Sequence, residues 1–540
     1  MVKITDDYLK SKNAFAKVGI KVPTFDQEAV KKATAAAPIW IHFGGGNIFR
    51  CLHAAIQQKL LDEKLTDKGI VVVDTWDDEV VSKTYRDNNY RTLAVVTRAD
   101  GKFDKTLIAS VTDAYYFNAA APDDWRSVVS IFENPALQIV SFTITEKGYG
   151  LTDVNGNLTK LVEGDLDAGP VQPRNTMTQV TYLLYRRFKA GAYPIAMLST
   201  DNFSQNGDKL KNSVLTVAEG WLKRGKVDSD FVDYLKDGAK VSFPLSMIDR
   251  ITPNPSQKVA DLIGRSGFED TQIIHTAKHT NTAPFVNTEE VHYLVIEDDF
   301  PNGRPPLEKG GIYLVNRDTV NKADEMKVTT CLNPLHTALA INGCLLGYTS
   351  IAEEMKDADL VGLIRQIGYK EGLPVVTDPK IINPKQFIDE VVEKRLPNPF
   401  TPDTPQRIAT DTSQKLAIRY GETIKSYLNH PELDVKELTF IPLVIATWAR
   451  YLMKTNDQGQ PFEPSPDPLL AELSSHLAAV KLGQPADVHA VLQPILTNKG
   501  IFGVDLYAAG LGKKIEGFFK KLIAGPGAVR KTIHETLQNF

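Results

Sequence analysis

The sequence predicts an α/β protein in which a parallel sheet comes first and a mainly α-helical domain follows. Three observations predict it. The apolar run Pro38-Ile-Trp-Ile-His-Phe enters a glycine cluster, Gly44-Gly45-Gly46, and a helical pattern leaves it. A second apolar run, Gly69-Ile-Val-Val-Val, ends in an acid, Asp74. Beyond the proline-rich residues 300–306 the apolar spacing turns helical and stays so.

Ile39, Ile41 and Phe43 suit a strand buried in a parallel sheet, and residues 53–61 carry the three-to-four-residue spacing of a helix. Glycines between two such elements let backbone N–H groups approach a pyrophosphate. Asp74 follows Gly46 by 28 residues, roughly where a dinucleotide fold places the carboxylate that binds the adenosine ribose hydroxyls. An acid there repels a 2′-phosphate, which favours NAD over NADP. Phe49 stands at the offset of the third glycine of the usual fingerprint. The pattern predicts a Rossmann-type domain with Phe43, Gly44, Gly45, Gly46, Asn47, Ile48, Phe49, Arg50 and Asp74 at the cofactor. The alternative is a strand-turn-helix that holds no ligand.

The remaining elements follow in order. Residues 1–37 read as a helical lead-in, residues 90–97, 105–117, 137–145 and 193–200 as strands, and residues 175–190 as a helix. Two strands end in polar clusters, Thr145-Glu146-Lys147 and Asp201-Asn202, and ligands of open parallel sheets collect at such ends. Asn202 and Asn206 offer amide donors towards one point if their segment turns helically, although turns and caps use the same residues. The predicted division is a sheet domain over residues 1–285 and a helical domain over 286–540. The helices of the latter are expected at 385–395, 414–428, 438–453, 468–480, 486–496 and 511–522. A cleft between two such domains is the expected place for a small substrate.

Composition narrows the function. The chain has 540 residues, 42% hydrophobic and 24% charged, which is ordinary for a globular protein with ample core. A net charge of −4 with no long basic run gives no footprint for nucleic acid, and no apolar window is long enough for a membrane span. A cytoplasmic protein with a small-molecule partner is the expectation. Cys51, Cys331 and Cys344 fit neither a disulfide framework nor a zinc site and read as buried hydrophobes, so no metal site is expected.

The chemistry points to residues 326–340. Asn333-Pro334 predicts a helix start, with Asn333 as its cap and His336 in the first turn. Hydride transfer between an alcohol and NAD needs a base for the hydroxyl proton and donors for the developing alkoxide. Lys327, Asn333 and His336 supply a base, an oxyanion donor and a group that orients the substrate. A surface lysine, a capping asparagine and a core histidine form the bland alternative.

Five segments in order resemble the long-chain polyol dehydrogenase family. They are Gly44-x-Gly46-x-Ile48-x-Arg50, Thr145-Glu146-Lys147-Gly148-Tyr149, Asp201-Asn202 with Asn206-Gly207, Ser246-Met247-Ile248-Asp249-Arg250-Ile251-Thr252-Pro253, and Lys327 with Asn333 and His336. The resemblance spans residues 38–345, with weaker likeness beyond. It implies a zinc-independent, NAD-dependent dehydrogenase acting on a polyol or sugar acid, and it places Thr145 and Glu146 at the cofactor. It implies Lys327 as general base, Asn206 and Asn333 as the oxyanion-holding pair, and Asn202, His336 and Asp249 around the substrate. Lys415 lies in what looks like the family's later polar segment, and Arg419 is a second cation for a substrate carboxylate. These cations favour a keto-uronate such as fructuronate, with tagaturonate or a neutral ketose of the mannitol branch as alternatives. A non-catalytic protein that binds sugar and NAD is the rival of another class.

One departure matters. The family places four residues between the lysine and the asparagine on one helix, whereas here five, residues 328–332, intervene and Pro334 follows. One extra residue turns Lys327 by about 100° on a regular helix. A π-bulge or a proline kink between Lys327 and His336 is therefore expected.

Overall fold

The computed structural model describes residues 1–540 and divides into two compact units. The first comprises Met1–Thr97 and Lys102–Asn321, and the second Arg98–Gly101 and Lys322–Phe540. The sheet unit thus runs past the expected break at residue 285. The reason is pairing: Phe285–Glu289 lies beside Thr92–Thr97, and Tyr293–Glu297 beside Ser246–Asp249.

The first unit is organised on six parallel strands: β1 (Trp40–Phe43), β2 (Ile70–Asp74), β3 (Val111–Tyr116), β4 (Ile139–Phe142), β5 (Ile195–Ser199) and β6 (Val241–Ser242). Their spatial order is β3-β2-β1-β4-β5-β6, the order of the doubly wound dinucleotide fold. Alternate residues fill opposite faces. Ile41, Phe43, Val71 and Val73 pack on one side with Trp125, Leu183 and Trp221, and Trp40, Ile70 and Val72 on the other with Phe49, Leu52 and Leu60. Both faces are covered, which is why these strands read as unbroken apolar runs.

Two expectations for this unit are corrected. Residues 105–117 are not one strand: Phe103–Ile108 belongs to a four-stranded sheet with Ile20–Lys21, Thr92–Thr97 and Phe285–Glu289, and only Val111–Tyr116 joins the main sheet. The chain changes sheets at Ala109-Ser110, where Ser110 Oγ donates to the Ala54 carbonyl at 2.6 Å and Ala109 N–H to Gln58 Oε1 at 2.7 Å. The lead-in is likewise broken, with helices Lys12–Lys17 and Gln27–Ala36 on either side of the short strand Ile20–Lys21.

The second unit is helical. Phe440–Tyr451, buried along all twelve residues, is its central rod, and Asn333–Leu346 and Gly512–Leu522 pack on it. The Glu371 carboxylate accepts from the N–H groups of Phe440 at 2.7 Å and Ile441 at 2.8 Å, which places an anion at the rod's N-terminus. Four segments of this unit are π-helical: Met326–Cys331, Gln366–Gly372, Val391–Arg395 and Ala417–Gly421. No helix in the structure is long and apolar enough to cross a membrane.

Candidate active site

In the first unit the site is the turn at the carboxyl end of β1. Gly44 has φ +105°, and a Cβ there would stand 2.1 Å from the Thr143 carbonyl oxygen, so only glycine fits. Gly46 is exposed, and nothing lies within 4 Å of where its Cβ would be. This is a tight turn with an open outer side, the shape that lets a phosphate group approach backbone N–H donors, so the residues present fit a dinucleotide. Asp74 closes β2, half-buried, with Oδ1 accepting from the N–H groups of Trp76 and Asp77, both at 2.8 Å. Burial raises its pKa, and the N–H groups of Asp77, Trp76 and Gly45 oppose that rise.

Three of the residues expected at the cofactor have side chains packed inside the protein. Phe43 is in the core, and Phe49 stacks on His42 at 4.3 Å, filling with a ring the place where a third glycine would let helix and strand close up. Arg50 is buried and donates to the Ala283 carbonyl and to Asn47 Oδ1, each at 2.7 Å. Gly45 is buried between its two neighbours, whereas Gly44, Gly46, Asn47 and Ile48 retain exposure.

The polar strand ends are tied together. Asp201 accepts from the N–H groups of Thr145 at 2.8 Å and Ile144 at 3.0 Å and from the Tyr149 hydroxyl at 2.7 Å. These bonds tie the Thr145–Tyr149 segment to the end of the Ile195–Ser199 strand. Thr145 is held at φ +64°, and Glu146 pairs with Lys209 at 2.7 Å beside an open groove of about 990 Å³. Asn202 is exposed, and Asp249 is buried at the end of Ser246–Asp249. Asn206 is fully buried: its Nδ2 donates to the Asp201 and Ser246 carbonyls and lies 3.0 Å from Ser246 Oγ, while Oδ1 accepts from Ser246 N–H at 3.1 Å. Its amide hydrogens are thus engaged inside the protein, with the Asp201 and Ser246 carbonyls. Asn206 locks Ser246–Asp249 to the start of helix Asn206–Lys223.

In the second unit the expected irregularity is a π turn. Leu332 N–H donates to the Lys327 carbonyl five residues back at 3.1 Å, and the α register resumes with His336 N–H on the Leu332 carbonyl at 3.0 Å. Pro334, which has no N–H to donate, sits in the first turn of Asn333–Leu346, where no helical hydrogen bond is lost. Leu332, not Asn333, occupies the cap, so the Asn333 side chain has no capping role; it is half-buried and makes no hydrogen bond within the protein. Lys327 is buried, its ammonium 3.4 Å from Asp324 Oδ1.

His336 lies 3.6 Å from Asp403, and burial lowers its pKa to about 4, with Asp403 opposing and Arg419, Arg407 and Arg395 assisting. It is a neutral imidazole at pH 7. Arg419 donates to Thr337 Oγ1 and Tyr420 to the Pro334 carbonyl, so the π turn Ala417–Gly421 is fastened to the start of the His336 helix. Burial holds Arg419 at about 10. Lys415 donates to the Thr410 carbonyl and is lowered by burial first and by Arg419 second. Sequence reasoning missed Asp403, Arg395 and Arg407, whose distance along the chain from His336 leaves no local signal. The three cysteines are buried and free, and no three His, Cys, Asp or Glu side chains are grouped to hold a metal ion.

The chain is similar over its whole length to known proteins. D-mannonate oxidoreductase of Thermotoga maritima is 52% identical over 538 residues, covering 99% of both chains. The crystal structure of a substrate-free D-sorbitol dehydrogenase superposes with a TM-score of 0.78 at 25% identity, covering 95% of this chain and 97% of that one. A Pseudomonas fluorescens mannitol 2-dehydrogenase, in a ternary complex with NAD and D-mannitol, superposes at 0.71 with 24% identity over the whole of both chains. Residues 38–309 match the mannitol dehydrogenase Rossmann domain and residues 319–522 the mannitol dehydrogenase C-terminal domain, and the chain belongs to the mannitol dehydrogenase family.

Proposed function

We propose that this NAD-dependent dehydrogenase interconverts D-fructuronate and D-mannonate. The Gly44–Gly46 turn and Asp74 would hold NADH, which when bound would supply the hydride for the keto carbon. Lys327 delivers the proton to the oxygen that becomes the hydroxyl, and in the reverse direction it takes that proton back. The Asp324 carboxylate beside it orients the ammonium. The uncommitted Asn333 amide donates to the same oxygen as negative charge develops there. Neutral His336 orients a neighbouring substrate hydroxyl, with Asn202 and Asp249 assigned to the substrate as well. Asn206 is assigned a positioning role through Ser246, since its own donors are engaged.

The observation that favours a uronate over a neutral ketose is the gathering of positive charge near His336. Arg419, Arg407 and Arg395 press on His336 against Asp403, although the exposed Arg407 is itself paired with Asp403. Lys415 feels Arg419 and Arg407 as well, with Asp411 and Asp467 opposing them. A half-buried guanidinium such as that of Arg419 suits bidentate pairing with a carboxylate. The 52% identity with a D-mannonate oxidoreductase supports the same reading. The test follows NADH consumption with D-fructuronate, D-tagaturonate and D-fructose, in the natural protein and in Arg419→Met. Fructuronate is expected to be the preferred substrate, and the variant to lose about 30-fold or more in kcat/KM for it, since losing one partner of a desolvated charge pair costs about 2 kcal/mol or more. Fructose turnover should fall less, by only what the lost Thr337 contact costs the His336 helix. Preference for fructose would overturn the assignment.

A further inference from the structure

Beneath the Gly44–Gly46 turn runs a chain of hydrogen bonds that the reaction does not use. Trp40 Nε1 donates to Ser141 Oγ at 2.7 Å, Ser141 Oγ lies 2.6 Å from His42 Nδ1, His42 Nε2 lies 2.8 Å from Thr143 Oγ1, and Thr143 Oγ1 donates to the Gly44 carbonyl at 3.2 Å. A carbonyl only accepts, so the Thr143 hydroxyl hydrogen goes to Gly44, and Thr143 Oγ1 must accept from His42 Nε2–H. His42 is fully buried and burial keeps it uncharged, so Nδ1 is bare and accepts from Ser141. Ser141 in turn accepts from Trp40, whose indole can only donate. Each hydrogen therefore has one place, and the chain has one direction, from the core to the turn.

The next carbonyl is held separately. The buried Tyr85 hydroxyl donates to the Gly45 carbonyl at 2.8 Å. In a trans peptide the C=O and the N–H point in opposite directions. Fixing the Gly44 carbonyl thus turns Gly45 N–H the other way, where it supports the charge of Asp74. Fixing the Gly45 carbonyl turns the N–H of exposed Gly46 away from Tyr85.

We infer that His42, Thr143 and Tyr85 are positioning residues for the dinucleotide, holding two successive carbonyls inward so that the Gly46 N–H is set for it in advance and the Gly45 N–H for the Asp74 carboxylate. This rests on NAD binding at this turn. A turn held by only one of the two hydroxyls spends part of its time with a peptide rotated, and binding must then reverse that rotation.

The test measures the NADH dissociation constant by fluorescence titration of the natural protein, Tyr85→Phe, Thr143→Val and Thr143→Ser, together with kcat and both KM values. Losing one such hydrogen bond is expected to weaken NADH binding about 5- to 10-fold in Tyr85→Phe and in Thr143→Val. Thr143→Ser, which keeps the hydroxyl, should stay within about twofold of the natural protein. The KM for the sugar acid and kcat at saturating NADH should be unchanged in all three, which a general loss of structure would not allow. Unaltered NADH binding in both hydroxyl deletions, or equal weakening in Thr143→Ser and Thr143→Val, would overturn the inference while leaving the cofactor assignment intact. Failure of the natural protein to bind NADH would overturn both.

Discussion

Glu354 ends the short helix Ile351–Glu354 in the second unit and is fully buried, with neither carboxyl oxygen hydrogen-bonded. Its Oε1 packs against Gly343, where a Cβ would come within 2.0 Å. Burial, with a smaller push from Asp357, raises its pKa from 4.5 to about 9. The folded protein therefore keeps a proton that the unfolded chain gives up. For a pKa raised on folding, the contribution to stability is complete below pH 4.5 and is lost as the pH climbs to about 9. At about 1.4 kcal/mol per pH unit, roughly 3 kcal/mol is lost between pH 4.5 and pH 7. Glu354→Gln keeps the shape and cannot ionise, so whatever its unpaired amide costs is the same at every pH. Urea unfolding at about pH 5, 7 and 8.5 should show the variant gaining on the natural protein by roughly 3 kcal/mol between the first two values. Parallel stability curves would refute the claim that Glu354 is protonated in the fold.

Two further outcomes follow from the first unit. Burial holds His53 at about 3, below its unfolded value of 6.5, so its contribution is present above pH 6.5 and is lost as the pH falls. Roughly 3 kcal/mol should be lost between about pH 6.5 and 4, opposite in sign to Glu354, and His53→Gln should flatten that fall in acid unfolding. The two glycines of the turn should separate stability from binding. Gly44→Ala meets the Thr143 carbonyl and a positive φ, and should lower the Tm and abolish NADH binding. Gly46→Ala, with open space around it, should leave the Tm alone and weaken NADH binding by about tenfold or more, read by fluorescence titration.

The main sheet was legible because strands buried on both faces carry continuous apolar runs, as in Ile70–Asp74, and because glycine and acid mark the ends where a ligand collects. Sheet membership was not. Residues 103–116 are rich in β-branched and aromatic side chains on both sides of the break, and the change of sheet at Ser110 depends on Ala54 and Gln58, far earlier in the chain. The extra residue between Lys327 and Asn333 was visible as a count, and the backbone absorbs it as a π turn because the register must change before Pro334. The Asn206 clamp was not legible, since a motif residue facing a ligand and one clamping a strand look alike until Ser246 is seen against it. The arginines around His336 come from residues 395, 407 and 419, and only the folding of the helical unit brings their charge together.

The most direct measurement is single-turnover NADH oxidation with D-fructuronate in Lys327→Met. If the π turn presents Lys327 to the reacting oxygen, the rate of the chemical step falls by about 10²- to 10⁴-fold, while NADH binds as it does to the natural protein. A chemical step of undiminished rate in the variant would contradict the role of Lys327 and leave the proton to another group.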